Sequence, residues 1–293
     1  MARARFRGVY VPIVTPFRGE EIADDVMAAM IDRLIEQGAT GVVPAATTGE
    51  CATLSHEEHL RVVELTVKMV NGRVPVIAGA GSNSTAEALQ LVRGAEEVGA
   101  DAVLMMSPYY NRPSQAGMIE HFRIVANSTR LPIILYNIPK RTGQNVEPET
   151  IIELSKVDNI VGLKDCSGDP MQTMRIIQGA QEFSVMTGDD PMLFLVCCLG
   201  GTGGIMTSAH VLPGEWKRIA DLLDAGRVEE ARAVHYKMLP IAHVLFAEPS
   251  PGPVKAAMEL MGFAVGPPRL PMTAASPACR ERIRTELERV GAI

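Results

Sequence analysis

The segment 160-IVGLKDCSG-168 is a short apolar run that ends on a lysine. Apolar and β-branched residues followed by Asp, Ser and Gly predict a buried strand and the loop after it. Similar runs lie before and after this segment, and together they start at Gly8, Gly41, Val74, Ala100, Leu131, Asn159, Phe183 and Gly203. The sequence therefore predicts eight strands, spaced by about 20–33 residues.

Amphipathic stretches separate these runs. The stretch 24-DDVMAAMIDRLIEQG-38 has apolar residues at helical spacing and ends on a glycine, and 55-SHEEHLRVVELTVKMVNG-72 begins with a serine N-cap. Alternating strands and helices indicate a parallel sheet covered by helices, and continuously apolar strands agree because such strands are buried on both faces.

Eight βα units favour an α/β fold of the (β/α)₈ TIM-barrel type over a doubly wound sheet, which has fewer strands. The first strand is followed by TPF, not by a glycine-rich dinucleotide fingerprint. After residue 213 only helical patterns remain. We therefore predict a catalytic barrel over residues 1–213 and a C-terminal helical domain over residues 214–293.

Composition excludes several classes of function. The net charge is −6, and the only basic cluster is MARARFR at residues 1–7, so no nucleic-acid partner is expected. No apolar run reaches the roughly 20 residues of a membrane span. Five cysteines without C-x-x-C spacing indicate reduced thiols and a cytoplasmic protein. His56 and His59 are spaced i, i+3 and not i, i+4 as in H-E-x-x-H, so no metal site is expected.

Lys164 is the strongest catalytic candidate. The chain has seven lysines, and the other six fall in predicted helices, helix ends or loops, where solvation is easy: Lys68, Lys140, Lys156, Lys217, Lys237 and Lys255. A lysine carried into a barrel loses hydration, which lowers its pKa and favours the free amine that attacks a ketone. The alternative is a structural ion pair with Asp165 or Asp189.

Other polar residues follow neighbouring strands, where barrel enzymes place their active sites. Tyr136 could transfer protons, Thr47 and Tyr110 could relay them, and Arg141 could bind a carboxylate. Taken singly, the threonines are equally compatible with a turn and the tyrosines with rim aromatics. Together with Lys164 they indicate carbonyl chemistry on a carboxylated substrate without a cofactor.

The motifs TTGE, SPYYNRPSQAG, LYNIPKRTG, GLKD, GDD and EPSPGPVKAAM stand in this order between GVYVPIVTPF and PRLPMT. With them the chain resembles the dihydrodipicolinate synthase family, one of the pyruvate-dependent lyases and aldolases, from end to end. The resemblance implies a barrel with a C-terminal helical domain, assembled as a homotetramer that is a dimer of dimers.

The resemblance also implies roles for single residues. Lys164 matches the lysine that forms an imine with pyruvate, and Tyr136 matches the proton donor and acceptor. Thr47 and Tyr110 match its relay, and Tyr110 is the tyrosine that crosses the tight dimer interface into the neighbouring subunit's site. The matches to pyruvate-holding positions are Thr48, Gly188 and Ile205.

Arg141 matches the arginine that receives the carboxylate of L-aspartate 4-semialdehyde. The implied reaction condenses pyruvate with this aldehyde and gives 4-hydroxy-tetrahydrodipicolinate, as a carbon–oxygen lyase at the first committed step of diaminopimelate and lysine biosynthesis. Two alternatives stay open from the residues. One is another Schiff-base enzyme, an N-acetylneuraminate lyase or a 2-keto-3-deoxy acid aldolase, and the other is an inactive barrel that binds an effector.

A feedback site for L-lysine is implied as well. Its matches are Ala52, His56, His59, Asn83, Glu87 and Tyr109. A solvated helix face is the alternative for both histidines and Glu87. The chain departs from the family pattern with Ala46 in place of glycine, Cys51 in place of serine and Asp165 in place of glutamate. Cys166 adds a thiol beside the lysine.

Overall fold

A computed structural model describes residues 6–293, and residues 1–5, which hold most of the basic cluster MARARFR, lie outside the described residues. The eight strands of the large sheet are β1 Gly8–Val11, β2 Gly41–Val42, β3 Ile77–Gly79, β4 Ala102–Met106, β5 Ile133–Asn137, β6 Ile160–Asp165, β7 Ser184–Thr187 and β8 Gly203–Ile205. All pair in parallel, in the order β2-β1-β8-β7-β6-β5-β4-β3. A further parallel bridge between Val42 and Val76 joins the two ends of this order, so the sheet closes into a barrel.

The helices are α1 Asp24–Glu36, α2 His56–Val70, α3 Thr85–Glu97, α4 Gln115–Ala126, α5 Pro139–Thr142, α6 Pro148–Leu154, α7 Pro170–Gly179, α8 Leu193–Cys198, α9 Pro213–Asp224, α10 Val228–Leu245, α11 Gly252–Leu260 and α12 Pro277–Val290. Two 3₁₀ turns cover Asp190–Met192 and Thr207–His210, and a two-stranded hairpin pairs Phe17–Arg18 with Glu21–Ile22. The predicted TIM barrel with a helical C-terminal region is confirmed.

Local sequence explains where the helices begin. Ser55 accepts from the Glu58 amide while the Glu58 carboxylate accepts from the Ser55 amide, a capping box that starts α2 as the SHEE pattern predicts.

The predicted domain boundary at residue 213 falls at the start of α9. This helix contacts β1 and buries Trp216 completely, as the outer helix after an eighth strand does.

Alternating strand residues divide the core into two clusters. One lies between strands and helices, and a smaller one fills the barrel interior with side chains that include Tyr10, Ile134, Tyr136, Met186 and Ile205. The side chains of the interior cluster therefore lie directly below the polar residues at the strand ends.

A β-bulge sets the direction of Lys164. In the β5–β6 ladder Ile133 pairs with Ile160 but Ile134 pairs with Gly162, so Val161 is an extra residue. A side chain at Gly162 would lie 2.8 Å from the Ser184 carbonyl oxygen, so only glycine fits here. After the bulge Tyr136 pairs with Lys164, and both side chains point into the barrel.

Candidate active site

Lys164 ends β6 inside the barrel mouth. Its Nζ lies 4.2 Å from the centroid of the Tyr136 ring, and the residue is 5% exposed. Burial lowers the pKa of Lys164, although the charges of Asp189 and Asp190 partly oppose the shift. Among residues 6–293 no carboxylate forms an ion pair with this ammonium group. A buried amine without a paired anion is suited to nucleophilic attack.

Asp165, one of the two carboxylates predicted as an ion-pair partner of the lysine, binds other groups instead. Its Oδ1 accepts from Asn137 at 3.1 Å and from the Ser167 amide at 3.1 Å, and its Oδ2 accepts from the hydroxyls of Ser167 and Thr173 at 2.8 and 3.0 Å. The carboxylate therefore ties β5, the loop after β6 and α7 together. Its contacts are those of a structural acceptor.

Tyr136 is buried beside Lys164. Burial raises its pKa well above the ordinary value, and the side chains of Thr47 and Cys166 lie near its hydroxyl. The tyrosine therefore holds its proton and can donate it to a group bound at Lys164. Burial also raises the pKa of Cys166 to about 12, so this thiol stays protonated next to the amine.

Three predicted pyruvate-binding residues surround the same space. The hydroxyls of Thr48 and Thr207 are 3.1 Å apart, and Ile205 ends β8 fully buried. A side chain at Gly188 would lie 2.3 Å from Cε of Lys164 and 2.4 Å from Sγ of Cys166. Glycine at this position therefore leaves room for the lysine arm.

Sequence reasoning missed Asp190 near the lysine. It is fully buried at the start of a 3₁₀ turn, and its Oδ2 accepts from the Ser208 amide at 2.5 Å. Burial raises its pKa to about 6. The second Asp of the GDD motif, directly after β7, was the available signal.

Arg141 lies on α5, at the wall of a cavity of about 390 Å³ that Thr47 also lines. The guanidinium is exposed, so it can receive a carboxylate from solvent.

Tyr110 does not join the other predicted site residues within one chain. It is 89% exposed and has a φ of +69°, a left-handed conformation that is uncommon for a bulky residue.

The same cavity brings together five of the six predicted effector residues: Ala52, His56, His59, Glu87 and Tyr109. His56 Nε2 and Glu87 Oε1 are 2.5 Å apart, and His59 Nε2 lies 2.7 Å from the Gly79 carbonyl. Asn83 is not among the residues that line the cavity, and its carbonyl accepts from Asn111. Cys51 also lines it, and burial raises its pKa to about 11.

The prediction that Lys255 is solvated on an amphipathic helix is wrong. Lys255 is buried in α11 and pairs with Glu50 at 2.6 Å. The helix around it is almost entirely apolar, with Val254, Ala256 and Ala257 all buried, and this composition was the overlooked signal of a buried helix.

The described residues contain neither a cluster of metal-ligating side chains nor a helix that could span a membrane. Within residues 6–293 no three His, Cys, Asp or Glu side chains converge as metal ligands would. None of the helices in that range combines the length and apolarity that a membrane crossing requires.

The chain is similar to known proteins over almost its whole length. The model of the dihydrodipicolinate synthetase family matches residues 5–290. The 4-hydroxy-tetrahydrodipicolinate synthase of Syntrophus aciditrophicus (strain SB) is 46% identical over 289 residues, which cover 98% of this chain and 99% of the relative.

Solved structures agree with the sequence comparison. A crystal structure of dihydrodipicolinate synthase has a TM-score of 0.95 and 43% identity, covering 98% of this chain and 100% of that chain. The enzyme from Cyanidioschyzon merolae, solved with lysine bound, has a TM-score of 0.96 and 37% identity, covering 98% and 99%.

Proposed function

The chain belongs to the dihydrodipicolinate synthetase family, and we propose that it condenses pyruvate with L-aspartate 4-semialdehyde to give 4-hydroxy-tetrahydrodipicolinate. The observation that carries the proposal is Lys164, a buried amine with a lowered pKa, a tyrosine beside it and no paired carboxylate among residues 6–293. The relatives' names support this condensation and not the alternative cleavage of sugar acids.

The first step is imine formation. The neutral amine of Lys164 adds to the ketone carbon of pyruvate, and Tyr136 supplies a proton as the carbinolamine loses water. Burial lowers the pKa of Lys164 and raises that of Tyr136, so it favours the neutral amine and the protonated phenol that this step uses. The Tyr136 phenolate left by this transfer then accepts a methyl proton, which gives the enamine and restores the phenol.

Carbon–carbon bond formation follows. The enamine carbon adds to the aldehyde of the semialdehyde, and the amine of that substrate then attacks the imine, closes the ring and frees Lys164. We propose that Arg141 holds the carboxylate of the semialdehyde through its bidentate fork. Its exposed position on the cavity wall next to Thr47 supports this role.

Thr48, Gly188 and Ile205 form the proposed pyruvate pocket. Thr48 offers a hydroxyl that is already oriented by Thr207, and Gly188 leaves the space between the lysine arm and the pocket wall open. Ile205, fully buried at the end of β8, is the proposed backbone contact of pyruvate.

The proton relay requires a second subunit. Thr47 contacts Tyr136, but Tyr110 points away from its own barrel with its ring in solvent. We propose a homotetramer, a dimer of dimers, in which Tyr110 enters the neighbouring site. Sedimentation velocity at assay concentrations tests this assembly, and a fully active monomer would contradict it.

L-lysine is the proposed effector of the cavity. The facing Glu87 and His56, with Tyr109 beside them, offer groups for an amino acid, and the relative from Cyanidioschyzon merolae binds lysine. We expect Glu87→Gln to weaken lysine binding in calorimetry. Glu96→Gln, on the same helix but bonded to Thr129, is the matched control.

Borohydride reduction in the presence of pyruvate tests the central claim. We expect one pyruvyl adduct per chain, which peptide mass spectrometry locates at Lys164. A coupled assay with pyruvate and the semialdehyde then tests the second substrate. A correctly folded protein that gives no adduct refutes the imine, whereas an adduct without semialdehyde turnover favours the sugar-acid or keto-acid aldolases. Lysine binding with neither adduct nor turnover identifies an inactive effector-binding barrel.

A further inference from the structure

A buried ion pair joins the C-terminal helices to the loop after β2. Nζ of Lys255 lies 2.6 Å from Oε1 of Glu50, and both side chains are 2% exposed. The second carboxylate oxygen accepts from the Arg269 amide at 2.8 Å, and Nζ also donates to the Pro267 carbonyl at 3.2 Å. Both buried charges are therefore paired and hydrogen-bonded, and the imine chemistry uses neither of them.

The loop that Glu50 anchors carries the two active-site threonines. Ala45 and Glu50, on either side of them, have φ values of +50° and +63°, left-handed conformations that persist only where the surroundings hold them. The Thr15 hydroxyl donates to the Gly49 carbonyl at 2.7 Å from the inner side. The carboxylate of Glu50 holds the end of the turn from the outer side.

A second contact holds the next part of the loop. The Arg269 guanidinium donates to both carboxylate oxygens of Glu58 at 2.6 and 2.8 Å and to the Thr53 carbonyl at 3.2 Å. The Phe17 ring lies under both cations, 4.5 Å from Nζ of Lys255 and 4.3 Å from the Arg269 guanidinium carbon. The C-terminal segment therefore fixes this loop at several points.

We infer that the Glu50–Lys255 pair positions Thr47 and Thr48 for the reaction. Thr47 contacts the Tyr136 hydroxyl and Thr48 contacts Thr207, so a shift of the turn changes both the proton relay and the pyruvate pocket. Glu50 and Lys255 are positioning residues, because both side chains are 2% exposed and bind each other and the C-terminal segment, so that they act through the threonines. This inference rests on the proposed function.

A double-mutant cycle on turnover tests the inference. Glu50→Gln with Lys255→Met removes both charges and leaves no buried ion unpaired, so it is the variant best suited to fold. We expect kcat to fall about tenfold in the wild-type background but less than about twofold in the Thr47→Val background, since the pair acts through Thr47. Equal losses in both backgrounds, or an unchanged kcat, overturn the inference.

Two further variants keep the test decisive. Glu50→Asp keeps the charge but shortens the side chain by one methylene, so it should also shift the turn. If the double variant does not fold, Glu50→Asp replaces it in the same comparison of the two backgrounds. Arg280→Gln breaks the 2.7 Å pair with Glu259, which lies on the same helix α11 but away from the loop. We expect this control to leave kcat unchanged.

Hydrogen exchange separates this inference from the proposed reaction. In the Glu50→Gln, Lys255→Met variant we expect faster amide exchange over residues 45–54 and unchanged exchange over residues 160–168. A wild-type protein that forms no pyruvate adduct refutes the proposed function but leaves this measurement intact. Unchanged exchange over residues 45–54 overturns the positioning role.

Discussion

Lys164 and Lys255 are both buried, both lie over an aromatic ring and both have a pKa lowered by burial. Their surroundings otherwise differ. Glu50 lies 2.6 Å from Lys255, whereas Lys164 has no ion-pair partner among residues 6–293 and has the Tyr136 hydroxyl in its site. Burial alone therefore does not identify a catalytic lysine.

The different surroundings of the two lysines have different consequences for stability and for reactivity. Nζ of Lys255 is occupied by the Glu50 carboxylate and the Pro267 carbonyl, so Lys255 is not free to act as a nucleophile. A buried amine without a partner imposes a desolvation cost on folding, which lowers its pKa. We therefore expect Lys164 to contribute reactivity at a cost in stability, and Lys255 to contribute loop geometry.

The largest expected effect is on turnover when Lys164 is removed. We expect Lys164→Met to lower kcat by at least about 10³-fold, because the covalent path is lost. The coupled assay measures the loss, and borohydride should trap no pyruvate. Lys156→Met, an exposed lysine paired with Glu153, is the control and should keep full activity. Normal turnover in Lys164→Met would show that Lys164, like Lys255, does not act as the nucleophile.

The second expected effect is on stability and falls on the other lysine. Lys255→Met leaves the Glu50 carboxylate buried without its cation, which should lower the free energy of unfolding by about 3 kcal/mol. Lys164→Met should not lower it, because a desolvated amine is replaced by an apolar chain. Urea denaturation at equal protein concentrations measures both variants. A lower stability of Lys164→Met would show that Lys164 also has a structural partner.

Tyr136→Phe sharpens the comparison further, since it gives Lys164 the same kind of ring that Lys255 has in Phe17. We expect kcat to fall about 10²-fold, the usual contribution of a positioned proton donor. The pyruvate adduct should still form, but more slowly, and quenched-flow trapping measures its rate. Phe17→Leu is the counterpart and should change stability without changing the adduct rate. Equal adduct rates in Tyr136→Phe and wild type would remove the proton-transfer role.

The eight strands and the lysine at the barrel mouth were predictable, because parallel buried strands leave continuous apolar runs and active sites follow their ends. The bulge at Gly162 was not, since it depends on how closely Ser184 approaches the backbone. The Glu50–Lys255 pair joins distant parts of the chain, and no local pattern connects them. The sequence therefore predicted that Lys164 enters the barrel, but neither the bulge nor the ion pair.

The Tyr110 conformation shows another limit of sequence reasoning. A tyrosine after a strand suggests a place in the same active site, but within one chain this side chain points into solvent. Contacts between subunits leave no periodicity in the sequence. The relay role of Tyr110 is thus a proposal that depends on assembly.

The smallest expected effect concerns pH and reports the pKa of Lys164 directly. Imine formation needs the neutral amine, so the rate of borohydride trapping with pyruvate should rise about tenfold per pH unit on the acidic side. Because burial lowers the pKa, the rate should reach its plateau below pH 10.5, the ordinary value for lysine. A plateau at or above that pH would mean that the amine is no more reactive than a solvated one.

The pH dependence of the free energy of unfolding provides a second measurement of the Lys164 pKa. Where a folded-state pKa is lowered, the unfolded chain binds more protons between the two pKa values, so stability rises with pH in that range. The desolvation penalty of Lys164 is absent above pH 10.5 and grows as the pH falls toward the folded-state pKa. The stability of wild type relative to Lys164→Met should therefore improve as the pH rises toward 10.5. A constant difference between the two proteins would place the Lys164 pKa at its ordinary value, and the two buried lysines would then differ only in their partners.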